Sequence, residues 1–399
     1  MASGAIDLGP GPSAPELLGR LAERAARHGQ PGPAALIGHW LGARAVLAPS
    51  IEVAPAPALP DTPDGWWLGY ISYPDRLDEA ALPPICGGVT DTILVLRERR
   101  WWLHRHGDAA LADVPDWLPS LLSRRQITPV THWEVSWTMP PPAPHTAAIE
   151  ACLAAIRDGE VYQACVCTRI LGALHGAAID YYRSGLVTMS PRKSAFLQGD
   201  WGAVASFSPE TYLRRRGDTV VSRPIKGTLP IDADPAELLT SVKDVAENVM
   251  IVDLVRNDLG RVAVPGSVAV PELLHTRPAP GVWHLVSTVV AEVPATLSAA
   301  ALVEATFPPG SVTGTPKLRA RELLINWETH ARGVYCGAIG VVCPDGDLDL
   351  SVAIRTVEVT PDGTAAFGVG GGITIDSDPA REWQECLDKA ATVMALRAP

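Results

Sequence analysis

The sequence predicts an α+β protein in which antiparallel sheets pack with helices as a layered sandwich, and three observations carry that prediction. Strand-like runs are punctuated by Pro-Asp-Gly turns at 344–346 and 361–363. Apolar residues recur at helical spacing over 149–156, 235–259 and 379–396. Helices and strands do not alternate strictly, as a doubly wound parallel sheet would demand.

The elements follow in order. Residues 1–20 read as loose. The Trp-rich stretch 66–73 reads as a strand, and 92–97 with 101–105 as a hairpin. The stacked prolines of Met139-Pro-Pro-Pro-Ala-Pro144 can continue neither a helix nor a central strand. They divide a strand-rich region, 1–140, which contributes to the same globule, from a catalytic region, 141–399. Ile149, Cys152, Leu153 and Ile156 then mark a helix ending at Gly159, and 161–171 marks a strand. Residues 235–259 predict one long helix with Leu238, Leu239, Val242, Val245, Val249 and Val252 on or near one face. Leu348, Leu350, Val352 and Ile354 alternate as a half-buried strand does, within a strand-rich block from 334 to 375. A helix over 379–396 closes the chain.

With 399 residues, 47% of them apolar, a sizeable core forms and wholesale disorder is excluded. A formal charge of −11 disfavours nucleic acid and anionic membrane as partners and repels small anions on average, so a site for an anion needs local cations or a metal. No apolar run reaches membrane-spanning length and no signal-peptide pattern opens the chain. Seven cysteines without framework spacing indicate reduced thiols in a cytoplasmic protein, and Cys165 and Cys167 read as packing on one strand face.

Several residues could carry chemistry. Lys226 sits in Pro224-Ile-Lys-Gly-Thr228, a short turn bounded by Pro and Gly. A neutral amine there is a nucleophile, but a free lysine, with a pKa near 10.4, would need a shift of about 3 units to work near neutral pH. Glu210, after Ser208-Pro209, could protonate a leaving hydroxyl if buried. Taken alone, each reads first as a solvated surface group. Asp244 and Glu247 share a helix face, and Glu385 stands four residues before Lys389. These acids form either surface ion pairs or a two-helix site for Mg²⁺, which prefers carboxylate oxygens. The segment 310–317, with Thr313, precedes a helix and could hold a carboxylate. Gly370, Gly371 and Gly372 allow close approach of backbone to a ligand.

In this order, the pieces resemble the chorismate-utilising enzymes. The resemblance is strong over 145–395, through Tyr162-Gln163, Ser208-Pro-Glu210, 224–228, 247–258, 283–287, 307–317, 337–340, 354–356 and 370–389, and weaker over 36–73. It implies that chorismate is the substrate and Mg²⁺ the cofactor, held by Glu247 and Glu385 with Asp244 nearby. It further implies that Lys226 attacks C2 while Glu210 protonates the departing C4 hydroxyl. His284 would line the ring pocket, and Thr313, Tyr335, Arg355, Lys389 and the amides of Gly370, Gly371 and Gly372 would anchor carboxylates. Members that add water at C2 carry lysine where this chain has Gln163, and C2-aminating members carry alanine where it has Lys226. The pair therefore implies amination at C4, on the route to para-aminobenzoate and folate. Amination at C2, or a catalytically silent chorismate-binding homologue, are the competing readings. No cysteine lies in a Gly-x-Cys-x-Gly turn, so a separate glutaminase subunit is implied as the ammonia source.

Three departures from the family pattern stand out. Thr315 replaces the usual alanine, Ala164-Cys-Val-Cys167 replaces a Val-Asn-Leu type, and Leu36-Ile-Gly-His39 replaces the Leu-Leu-x-Ser motif of tryptophan binding.

Overall fold

The computed structural model describes residues 5–107, 113–123 and 128–398. Its described strands form two antiparallel sheets, one of 12 strands and one of 10. Their inner faces meet over Leu36, Val46, Leu197 and Val204 from the larger sheet and Leu68, Tyr70, Ile339 and Val341 from the smaller. The outer face of the larger sheet is covered by the helices Ala14–His28, Ala178–Met189 and Pro379–Met394. Helices Val242–Gly260 and Ala299–Thr306 cover the smaller. The result is a helix–sheet–sheet–helix sandwich whose central strands are covered on both faces, so Leu348–Val352 is buried at every position rather than half-buried.

N-terminal strands are woven into both sheets. Ala34–Trp40 pairs with Lys193–Gly199 in the larger sheet, and Trp66–Ile71 pairs with Ala338–Val342 in the smaller. The prolines at 142 and 144 open the helix Pro142–Arg157. Its first turn needs no donor from them. The seven cysteines are free and buried, with the sulfurs of Cys165 and Cys167 3.9 Å apart on one strand face. Among the described residues no helix is long and apolar enough to cross a membrane.

Two further expectations are corrected. The loose N-terminus is a strand, Ile6–Pro10, and a helix, Ala14–His28. Leu17, Leu18 and Leu21 of that helix are buried against the sheet, a tertiary contact that outweighs the Gly/Pro-rich flank. The single long helix is two, Ala236–Thr240 and Val242–Gly260. Ser241 leaves helical geometry and its hydroxyl accepts the Asp244 N–H at 3.2 Å, so it caps the second helix rather than joining the first.

Candidate active site

Lys226 owes its direction to a bulge. On the strand Ile225–Pro230, Ile225 is opposite Val286 and Thr228 opposite His284, so Lys226 and Gly227 together face Leu285 alone. A bulge of this kind re-aims a side chain. Gly227 takes φ +84°, a region disfavoured for other residues. Across the bulge, Asn248 of the helix Val242–Gly260 donates to the Leu285 carbonyl at 3.2 Å and accepts from Ser287. That pins the helix so that Glu247 comes within 3.6 Å of the Lys226 amine.

Glu210 lies where the chain passes from the larger sheet (Gly202–Ser208) to the smaller (Thr211–Arg216). It is buried. Burial pushes its pKa up to about 7, against the opposing influence of Ser311, the Lys226 charge and the Ile225 N–H beside it. A carboxyl so placed holds its proton near neutral pH and can donate it.

The opposite wall comes from the larger sheet. Gln163 begins the strand Gln163–His175, fully buried, with neither amide atom hydrogen-bonded to another described group. Neighbouring Gly372 explains part of the space. A Cβ there would fall 2.6 Å from Glu247 Oε2 and 2.7 Å from Gln163 Nε2. Gly371 borders Glu382, and the Gly370 carbonyl accepts from Lys389 at 2.9 Å. Gly372→Ala is expected to displace Glu247 or Gln163 and lower kcat by about tenfold to hundredfold with the fold intact. Steady-state kinetics beside circular dichroism checks this.

The acidic cluster differs from the expected set. Glu247 and Glu385 do converge, Glu382 stands with them, and the Asp244 charge also acts on Glu247. The Lys243 ammonium bonds Glu382 and lies 3.9 Å from Glu247 and 4.0 Å from Glu385. Asp244 borders Gly227. Burial, only partly offset by Lys226 and Lys243, raises the Glu247 pKa. Glu385 pairs with Lys389 at 2.7 Å, as their spacing predicted. Among the described residues no three His, Cys, Asp or Glu side chains form a ready metal cage. The donor set nonetheless fits Mg²⁺: the acids supply only oxygens, and Glu382 keeps a buried, unpartnered Oε2.

His284 stands opposite Thr228, next to Leu285 at the bulge. Its Nδ1 meets the Thr228 hydroxyl at 3.0 Å, and its buried Nε2 has no described protein partner. Burial, then Arg355 and Arg192, pushes its pKa down to about 4, so the ring is neutral. Arg355 takes a left-handed backbone, φ 50°, beside it. The two remaining expected anchors are placed differently. Thr313 is fully buried and its hydroxyl donates to the Pro309 carbonyl at 2.8 Å. The Tyr335 hydroxyl lies 4.0 Å from the Cys167 sulfur, packed in the core under Gly368.

Sequence reasoning missed four contributors: Lys243, Glu382, Glu328 and Arg332. Lys243 and Glu382 were legible as spacing partners, four before Glu247 and three before Glu385. Arg332 and Glu328 form a bidentate buried pair, at 2.6 and 2.8 Å. Arg332 also donates to the carbonyls of Val312 and Cys165, while Glu328 accepts the Cys167 N–H. The pair thus ties the 310–315 loop to the strand bearing Gln163. Arg332→Met leaves a buried carboxylate unpaired, with an expected loss of about 3–5 kcal/mol by denaturant unfolding. A loss below about 1 kcal/mol would contradict this role.

A buried acid, a bulge-mounted lysine and a carboxylate cluster between two sheets define an enzyme site for a small polar substrate. Residues 38–395 match the family described as chorismate binding enzyme, and the chain belongs to that family. It is 37% identical over 368 residues to aminodeoxychorismate synthase component 1 of Klebsiella aerogenes, covering 86% of this chain and 79% of that one. It is 33% identical over 384 residues to anthranilate synthase component 1 of Streptomyces coelicolor, covering 86% and 74%. The fold superposes on the crystal structure of anthranilate synthase component I from Streptococcus pneumoniae with a TM-score of 0.71 at 25% identity, covering 92% and 91%.

Proposed function

We propose that this chain aminates chorismate at C4, forming 4-amino-4-deoxychorismate as the synthase component of a two-component enzyme. The observation that carries the reading is Lys226 on its bulge, between the Glu210 acid and Glu247, with Gln163 on the facing sheet. The similarity to aminodeoxychorismate synthase component 1 supports it.

Attack requires a neutral amine at Lys226, and Glu247, 3.6 Å away, orients it. The amine then bonds to C2 as the ring double bond shifts and the C4–O bond breaks. Glu210 gives its proton to the departing oxygen, which leaves as water. Ammonia next bonds to C4, the double bond shifts back, the C2–N bond breaks to restore the Lys226 amine, and a proton of the new C4 ammonium returns to the Glu210 carboxylate. Two substitutions of moderate difficulty replace one hard displacement. His284 and Arg355 border the ring, and Lys389 and the Gly371 backbone border its carboxylate. Glu247 and Glu385, with Glu382 and Asp244 nearby, would hold Mg²⁺, which when bound withdraws electron density from the ring carboxylate. Ammonia would come from a separate glutaminase subunit, as the component 1 naming of relatives supports.

Purified chain with chorismate, Mg²⁺ and an ammonium salt should release a C4-aminated product, identified by mass and ultraviolet spectrum. A C2-aminated product would establish the second reading, which the similarity to anthranilate synthases favours. Absence of any product beside tight chorismate binding would indicate a silent homologue.

A further inference from the structure

On a chain of net charge −11, the smaller sheet carries a row of guanidinium groups on one face. Arg214 is opposite Val221, with Arg223 two residues further on the same face. Val221 is opposite Val290, which shares its face with Thr288 and His284. Thr288 is opposite Glu272, and His284 is opposite Arg277. Residues opposite one another, or two apart along a strand, share a face. Arg214, Arg223 and Arg277 therefore stand on the face that carries His284. Arg192, exposed at the start of the strand Lys193–Gly199 of the other sheet, adds a fourth charge.

The four are close enough to oppose one another's charge. Arg192 is depressed by burial and then by Arg277 and Arg214, and Arg223 by burial and then by Arg214, Arg192 and Arg277. Two acids reach into the row: Glu272, which accepts from Arg277 at 2.6 Å and from Thr288 at 2.8 Å, and Asp349, which stands opposite Arg214 but is already paired with Lys193. Mutual repulsion among these guanidiniums, three of them half-buried, is unfavourable for folding, so an anion there would relieve it. The row leads to the unpartnered, buried His284 Nε2 (the residue is 4% exposed).

We propose that Arg192, Arg214, Arg223 and Arg277 form an electropositive approach to the active site that captures the dianionic substrate from solution and delivers it past His284. This rests on the reading that chorismate is the substrate, not on which carbon is aminated. The overall negative charge would otherwise slow encounter with a dianion, and a local basic lane raises the encounter rate within a screening length. Its effect belongs to association and to kcat/KM, not to the bond-making steps.

The test uses the full chain with ammonium as the nitrogen source. Arg192→Gln and Arg214→Gln, singly and together, are compared with wild type and with the exposed control Arg27→Gln. For the double variant, kcat/KM and the stopped-flow association rate for chorismate should fall about fivefold to tenfold at low salt, with kcat unchanged. The deficit should shrink as ionic strength rises from about 10 mM to about 1 M, where the screening length falls from about 30 Å to about 3 Å. Wild-type association rates and an unaltered salt slope in the double variant would overturn the proposal while leaving the chorismate reading intact. A deficit seen only with glutamine and a glutaminase subunit would overturn it in favour of a docking surface. Wild-type chain that neither binds nor consumes chorismate would overturn both.

Discussion

Replacing Lys226 by alanine is expected to lower C4 amination by roughly three orders of magnitude or more, because a nucleophile has no substitute among the groups around it. The other two ammoniums nearby are engaged, Lys243 with Glu382 and Lys389 with Glu385 and the Gly370 carbonyl. Neither stands on the bulge that aims Lys226. Chorismate binding should survive, since the anchoring groups lie on other elements, so fluorescence titration separates lost chemistry from lost binding. Product redirected to another carbon would still assign the lysine to C2. Unchanged product and rate would remove it from the mechanism.

Glu210→Gln is expected to lower the rate by about 10²–10⁴, the range for a positioned general acid. The wild-type rate should fall as pH rises through about 7, where burial against weaker opposing contacts has placed the Glu210 pKa. The residual activity of the variant should lack that limb. Stability follows the same proton. A folded-state pKa of about 7 against an ordinary 4.5 means that the native state holds this proton more tightly than the unfolded chain. The associated stability is full below about pH 4.5 and is lost as pH rises through about 7, amounting to about 3 kcal/mol. The Gln variant, which carries no charge to bury, should therefore be more stable than wild type at pH 8 and not at pH 4. Denaturant unfolding at the two pH values decides it. Equal sensitivity of both proteins to pH would mean that Glu210 is not the buried acid described.

Local signals carried much of this. The alternation of Leu348, Leu350 and Val352, the Pro-Asp-Gly turns and the helix ending at Met394 are each local effects of side-chain periodicity and backbone preference, and the strand Leu348–Val352 and the helix Pro379–Met394 follow them. The Glu385–Lys389 pair was legible for the same reason, being four residues apart on one helix. The break at Ser241 was missed because apolar spacing continues across it, while capping chemistry decides the boundary.

By itself, then, the sequence determined the α+β class, the membership implied by ordered motifs, and which residues are chemically able to act as nucleophile, acid and metal ligands. The tertiary structure alone decided who meets whom. Lys226 belongs to the smaller sheet, Gln163 and Gly372 to the larger, and Glu247 to the helix that covers the smaller sheet. Glu382 joins the carboxylates for a like reason, because the side that a helix turns inward is set by what it packs against. Spacing along a chain reports neighbours within one element, whereas distances between elements depend on strand register, bulges and core packing summed over the whole molecule.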